Sequence, residues 1–135
     1  MRVERLYSLR ISYTGLWEIG EDRFGIMEGR CEGRVTGSFT GSNHARIRAD
    51  GGYLPHVEGV IETEDGARLL LDLHGRGRVD ANGDFAATGT VTHVSDDPRY
   101  ERLNHAVCAL EASSGVDEES IALVVYEIVG GAAPS

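Results

Sequence analysis

The sequence contains no lysine, because all thirteen of its basic residues are arginine. Enzymes that form a Schiff base, attach pyridoxal phosphate or grip a nucleotide with a phosphate-loop lysine need that side chain. These function classes are therefore excluded. The sequence also lacks a Gly-X-Ser-X-Gly motif and a dinucleotide-binding glycine fingerprint, so it offers no support for a nucleophilic hydrolase or a nucleotide enzyme.

Cysteine is scarce as well, since Cys31 and Cys108 stand alone without a Cys-X-X-Cys spacing. We expect free, buried or partly buried thiols of an intracellular protein rather than a disulfide. The first residues lack an apolar core of signal-peptide length, and no apolar run reaches the roughly 18 residues of a membrane span. The resulting prediction is a cytoplasmic location without a membrane partner.

Negative charge outweighs positive charge, with 22 acidic residues against 13 basic ones and a formal net charge of −9. Nucleic acids and anionic membranes attract clustered basic residues, so the balance argues against both as partners. The 135 residues suffice for a single domain with a real core, covering 1–135. With 18 glycines and 3 prolines, the composition favours many short strands joined by tight turns.

Residues 54–75 carry the clearest structural signal. Two runs of strand length, 54–63 and 67–75, flank a Glu-Asp-Gly turn. A glycine at the end of such a turn adopts the left-handed conformation that closes a hairpin through a bulge. The segment therefore predicts a β-hairpin with a three-residue loop.

The register of this hairpin decides which side chains share a face. A two-residue Asp-Gly turn would pair Glu64 with Ala67 and mix polar with apolar residues on each face. Pairing Thr63 with Ala67 sets apolar residues opposite apolar ones and polar residues opposite polar ones, and we prefer this register. One face then carries Val57, Ile61, Leu69, Leu71 and Leu73, whereas the other pairs His56 with His74, Glu58 with Asp72, Val60 with Leu70 and Glu62 with Arg68.

Alternating apolar and polar residues predict strands along most of the chain. The first strand is expected to end at the Thr-Gly pair at 14–15, and glycine-interrupted strands are expected over 25–39. Asp97 as the cap and Pro98 at the first helical position predict one short helix over 98–103. Because no βαβ spacing occurs, the fold class is all-β: an antiparallel, closed or nearly closed β-barrel of about eight strands with one short helix.

Five segments together resemble the family called domain of unknown function 3237, or uncharacterised protein family 0311. They are Leu-Tyr-Ser-Leu at 6–9, Arg-Ile-Arg-Ala-Asp-Gly at 46–51, Ile-Glu-Thr-Glu-Asp-Gly-Ala at 61–67, Asp-Pro-Arg-Tyr-Glu-Arg-Leu-Asn at 97–104 and Val-Tyr-Glu-Ile at 125–128. The resemblance implies a small antiparallel barrel with a central cavity, similar to allene-oxide-cyclase-like and lipocalin-like barrels, and it implies no general activity. The chain departs from the family pattern at His56, Glu58 and Arg102.

The polar face of the hairpin supplies the candidate catalytic residues, which are His56, Glu58, Asp72 and His74. In a barrel lumen, a raised carboxyl pKa and a histidine that titrates near neutrality would form an acid/base pair. The alternative is that this face is the solvent side of an amphipathic hairpin. The four residues also suit zinc, iron or manganese, but no recognised ligand spacing is present, so we predict neither a metal site nor a cofactor.

Further residues are candidates for orienting a substrate: Trp17, Arg46, Arg48, Tyr53, His93 and Tyr126. The alternative for each is a packed aromatic ring or a solvated charge. His93 shares its parity with Val91 and Phe85, so we expect it to point inward. Either Tyr126 or Glu127 should point inward at the end of the last strand.

The sequence thus predicts a barrel that binds a small, apolar or aromatic organic molecule. Cofactor-free acid/base chemistry, as in an isomerase, cyclase or lyase, would use Glu58 or Asp72 as base and His56 or His74 as acid. The rival is a non-catalytic ligand-binding or structural barrel. Exposed strand edges or barrel faces add a homodimer as a further expectation.

Overall fold

The chain forms an antiparallel β-barrel in the computed structural model, which describes residues 1–114 and 120–130. Its strands are β1 (Arg2–Ile19), β2 (Asp22–Gly33), β3 (Gly37–Ile47), β4 (Gly52–Leu54), β5 (His56–Thr63), β6 (Arg68–Val79), β7 (Phe85–Val94), β8 (Val107–Ser114) and β9 (Ser120–Val129). A 3₁₀ helix, Glu101–His105, precedes β8.

The sheet closes because β1 pairs with β2 on one side and with β9 on the other. The short strand β4 and strand β5 both lie between β3 and β6, separated by Pro55. They share one position in the barrel, since proline lacks the N–H that would continue the ladder. The result is a closed barrel with eight strand positions, which confirms the predicted fold class.

The hairpin of β5 and β6 has the preferred register. The Thr63 N–H donates to the carbonyl oxygen of Ala67 at 2.9 Å, and His56 lies opposite His74. Gly66 has a φ of 91°, the left-handed conformation that the three-residue loop requires. The prediction from the apolar pattern is therefore confirmed.

Two expectations about other strands need correction. The first strand does not end at 14–15: a bulge between Tyr13 and Gly15 shifts the register, and β1 continues to Ile19. Within 25–39 the glycines do not break the strands into short pieces, because several of them lie where neighbouring backbones approach closely. At Gly37, for instance, a Cβ atom would overlap the carbonyl oxygen of Glu62.

The helical segment closes one end of the barrel. It is a 3₁₀ helix that starts three residues later than the predicted helix, and its Leu103 is buried against the core. The Asn104 amide binds the backbone N–H and carbonyl of Ser95 at 2.7 and 2.9 Å. Asn104 therefore fastens the helix to the end of β7 rather than ending the helix itself.

Apolar side chains fill the middle of the barrel. The leucine face of the hairpin points inward, and Leu69, Leu71 and Leu73 are all buried. Each such side chain contributes about 1.5–3 kcal/mol by leaving water. The same core contains Tyr7, Leu9, Ile11, Met27, Cys31, Phe39, Val57, Ile61, Val91, Cys108, Leu110, Leu123 and Val125.

A polar pair lies inside this core. The Tyr7 hydroxyl is 2.7 Å from His93 Nε2, and both side chains are buried. Burial raises the pKa of Tyr7 well above its usual value and lowers the pKa of His93 to about 4. The phenol is thus protonated and donates to a neutral imidazole, whose Nδ1 has no hydrogen-bond partner among the described residues. The prediction that His93 points inward is confirmed.

No helix in the described part of the chain is long and apolar enough to cross a membrane.

The two buried thiols generate a first prediction. Burial raises the pKa of Cys31 to about 12 and that of Cys108 to about 11, and neither cysteine forms a disulfide. Because the thiolate is the reactive form, we expect Cys31 to react with Ellman's reagent at least about 10³-fold more slowly in the native protein than in the unfolded one. The control is the same protein unfolded in guanidinium chloride at the same pH. Native thiols that react at the unfolded rate would contradict the expectation.

His93 generates a second prediction, about pH. The unfolded histidine binds a proton near pH 6.5, whereas the buried one does so only near pH 4. The unfolded state therefore gains the proton first, and the free energy of unfolding decreases by about 2–3 kcal/mol as the pH falls from 7 to 4.5. In His93→Gln this part of the decrease should be absent, as measured by urea unfolding at each pH. His105→Gln, at an exposed histidine, is the matched control and should keep the wild-type pH dependence; a wild-type dependence in His93→Gln would refute the assignment.

Candidate functional site

The polar face of the β5–β6 hairpin lies on the outside of the barrel. Glu58, Asp72 and His74 are exposed and His56 is half-buried. Successive residues of a strand point to opposite faces, so the inward leucines force these four side chains outward. The lumen alternative for them is wrong, and the solvent-facing alternative is confirmed.

These side chains nevertheless form one compact cluster. His56 Nε2 is 2.9 Å from Asp72 Oδ1 and 3.0 Å from Glu58 Oε1, and His74 Nε2 is 3.6 Å from the same Asp72 oxygen. The two imidazole rings stack with their centroids 4.0 Å apart. We call these four residues the outer histidine cluster.

A concave site lies inside the barrel, at the end opposite the 3₁₀ helix. The cavity measures about 310 Å³, within the range typical of small-molecule sites. Residues from the last part of β1 and from β2, β4, β6, β7, β8 and β9 surround it. Its lining residues are Tyr13, Thr14, Gly15, Leu16, Arg23, Tyr53, Val79, Gly83, Phe85, Ser114, Ser120 and Ile121.

One buried amide organises the polar side of this cavity. Asn43 Oδ1 accepts a hydrogen bond from the His56 backbone N–H at 3.1 Å. That contact orients the amide, so Nδ2 donates to the hydroxyl oxygens of Tyr13 at 3.0 Å and of Tyr53 at 3.2 Å. The two phenols are thereby held side by side at the cavity wall.

Tyr53 can donate a hydrogen bond but is a poor base. Burial, followed by the neighbouring Tyr13, raises the pKa of Tyr53, so its hydroxyl stays protonated at neutral pH. Both hydroxyl oxygens accept from the Asn43 amide, so each phenol keeps its own proton for a further acceptor such as a ligand oxygen.

Arg23 brings positive charge to the cavity. Its Nη2 atom binds Glu18 Oε1 at 2.7 Å across the β1–β2 ladder. Its Nε atom is buried and has no hydrogen-bond partner among the described residues. Because this Nε is shielded from solvent, a ligand oxygen would accept from the outer guanidinium nitrogens of Arg23 instead.

The remaining wall is partly apolar. The Phe85 ring packs on Tyr53 with centroids 4.9 Å apart, Leu16, Val79 and Ile121 add aliphatic surface, and Thr14, Ser114 and Ser120 are the other side chains of the wall. An apolar wall with a few convergent polar groups is the usual composition of an organic-ligand site.

The predicted substrate-orienting residues do not come together. Tyr53 lines the cavity, whereas His93 lies in the core with Tyr7. Four others lie outside. Trp17 is 52% exposed and packs near Phe24; Arg46 pairs with Asp22 at 3.6 Å and Arg48 with Asp50 at 3.7 Å; Tyr126 lies in a groove on the outer surface.

The outward position of these four corrects the expectation that they hold a substrate in the lumen. Arg46 alternates with the buried Ala45, and Tyr126 with the buried Val125 and Glu127. Long side chains between buried neighbours must point out. Glu127 is the inward member of its pair; it binds Arg102 through Oε2 and lies 3.6 Å from Arg34 through Oε1, away from the cavity.

Sequence reasoning missed Tyr13, Arg23, Asn43 and Phe85 as cavity groups. Tyr13 and Phe85 alternate in step with the apolar residues of their strands, so the sequence pattern could have identified both as inward-facing. No such pattern exists for Arg23 and Asn43, because each is a single polar residue whose surroundings depend on the pairing of strands distant in sequence.

Solved structures with this fold cover nearly the whole chain. A β-barrel-like protein from Acinetobacter baumannii AYE is similar with a TM-score of 0.83 and 19% identity, over 93% of this chain and 94% of that one. A protein of unknown function from Clostridium acetobutylicum ATCC 824 has a TM-score of 0.82 and 21% identity, over 96% and 100%. An enzyme from Penicillium herquei has a TM-score of 0.67 and 18% identity, over 93% and 94%.

At these identities the likeness shows the barrel fold and nothing finer. No protein-family model matches the sequence, and no curated protein matches it. The resemblance to the domain of unknown function 3237 family, the cytoplasmic location and the homodimer remain predictions. What the comparisons show is that this chain has the same closed barrel architecture as these proteins.

Proposed function

We propose that the barrel binds a small organic molecule with an aromatic or apolar body and an oxygen that carries negative charge. The body would lie against Phe85, Leu16 and Ile121, and the oxygen would accept from Arg23 and from the phenol pair. The observation that carries this proposal is the Arg23 guanidinium in the lining of a cavity of about 310 Å³ that also contains the Tyr13 and Tyr53 phenols.

Charge and hydrogen bonding support an anionic group. The cationic guanidinium of Arg23 is a planar fork of donors that suits a carboxylate or an enolate. Glu18 occupies only Nη2, so the guanidinium keeps donors for a second acceptor. The protonated Tyr53 adds a neutral donor, which favours an acceptor oxygen over a ligand amine.

The cavity favours binding over acid/base catalysis. Among its described lining residues there is no histidine, aspartate or glutamate, and the outer histidine cluster lies on the other side of the wall. An isomerase, cyclase or lyase reaction here would have to rely on the Tyr13 and Tyr53 hydroxyls and Arg23. These groups can polarise an oxygen, but the raised pKa of Tyr53 makes it unsuited to remove a proton.

Calorimetric titration with 2-naphthoate and its neutral analogue 2-naphthamide tests the proposal. We expect one saturable site per chain for 2-naphthoate. In Arg23→Gln the affinity for 2-naphthoate should fall about 10- to 100-fold, since a hydrogen bond to a charged group contributes about 1.5–3 kcal/mol. The affinity for 2-naphthamide should change about twofold or less.

Arg10→Gln is the matched control, because Arg10 is an exposed arginine on the outer face of β1. It should leave both affinities at their wild-type values. Binding of 2-naphthoate that is equal in wild type and Arg23→Gln, or that weakens equally in Arg10→Gln, would refute the proposed site.

A further inference from the structure

The outer histidine cluster has the ligand set of a metal site, and the β5–β6 register creates it. We propose that His56, His74 and Asp72 bind a divalent transition-metal ion, with Zn²⁺ as the first candidate. This site is distinct from the cavity and does not depend on the proposed function, so either proposal can fail without the other.

The ligand atoms converge on one point. One atom from each of the three side chains lies within 4.8 Å of the other two. Both imidazoles approach the same oxygen, since Asp72 Oδ1 is 2.9 Å from His56 Nε2 and 3.6 Å from His74 Nε2. Ligands bound to zinc at about 2.0–2.1 Å lie roughly 3.0–3.4 Å apart along the edges of the coordination polyhedron. One ion can lie between the three atoms once the two imidazole rings, which are stacked with an interplanar angle of 18°, turn their Nε2 atoms toward it.

The backbone holds the two histidines in place. His56 and His74 are directly opposite each other, and their strands also pair with β3 and β7 on the outer sides. The His56 N–H is fixed by Asn43. The Gly75 N–H donates to the Pro55 carbonyl at 3.1 Å, so the residues beside both histidines are also tied together. A rigid ladder of this kind lowers the entropy cost of bringing two ligands to one ion.

The chemistry of the donors selects the ion. Two imidazole nitrogens with one carboxylate oxygen suit Zn²⁺, Ni²⁺ or Cu²⁺, whereas Mg²⁺ and Ca²⁺ prefer oxygen ligands. Glu58 Oε1, 3.0 Å from His56 Nε2, adds negative charge next to the ion. The net charge of −9 attracts cations to the protein as a whole.

The site would keep coordination positions open to solvent, because the cluster lies on the outer surface. Three protein ligands with an open position are typical of metal sites that bind a further molecule. A row of outward apolar side chains, Val60, Leu70 and Val94, lies next to the cluster across three paired strands. An apolar surface thus adjoins the cluster and can contact an organic ligand of the metal.

Zinc titration of the untagged, chelator-treated protein tests the site, with a chromophoric chelator as competitor. We expect one Zn²⁺ per chain in the wild type. His74→Gln and Asp72→Asn should each weaken binding at least about 100-fold, because even changes around the ligands cost about 10- to 100-fold. Both residues are exposed, and an unchanged thermal unfolding midpoint without zinc would show that the variants still fold.

His44→Gln is the matched control. His44 Nε2 lies 3.1 Å from Asp22 Oδ1 on the outer surface, so it is a histidine–aspartate pair that lacks a second histidine. It should leave zinc affinity unchanged. Absence of stoichiometric zinc binding, equal affinity in wild type and His74→Gln, or an equal loss in His44→Gln would each overturn the proposal, and the outer histidine cluster would then be a hydrogen-bonded ion-pair cluster only.

Discussion

Closure of the sheet by β1, which pairs with both β2 and β9, is the constraint on which the rest of the structure depends. A closed barrel leaves no free edge, and every strand residue must point either into the lumen or out to the surface. The middle of the lumen is filled by large apolar side chains. Among the described residues, space for a ligand inside the barrel therefore lies towards an end, and the 3₁₀ helix covers one of the two ends.

Polar groups inside the barrel are tolerated where they find partners. Tyr7 satisfies one nitrogen of His93, and Arg102 satisfies one oxygen of Glu127. At the cavity end, the Asn43 side-chain amide is hydrogen-bonded through both its oxygen and its nitrogen. His93 Nδ1, Glu127 Oε1 and Arg23 Nε all lack a hydrogen-bond partner among the described residues, and Arg23 differs from the other two because it lines the cavity. That difference distinguishes a group that stabilises the fold from one that is available to a ligand.

His56 connects the two sides of the barrel wall. Its backbone N–H holds Asn43 and hence the phenol pair inside, whereas its side chain contacts Asp72 and Glu58 outside. The inner site combines one cation with neutral donors and an apolar wall, which suits an organic anion. The outer site combines imidazoles with carboxylates, which suits a cation. One hairpin thus supports two sites of opposite charge preference.

The sequence by itself determined the all-β class, the register of the β5–β6 hairpin and the inward position of His93, because side-chain alternation and turn chemistry are local properties. It also determined that His56 faces His74. It did not decide whether that polar face was lumen or surface, since alternation separates two faces without saying which one the sheet encloses. Only closure of the barrel decided that. The cavity was likewise a tertiary result, because Tyr13, Arg23, Asn43 and Tyr53 come from four strands and meet only when the sheet curves.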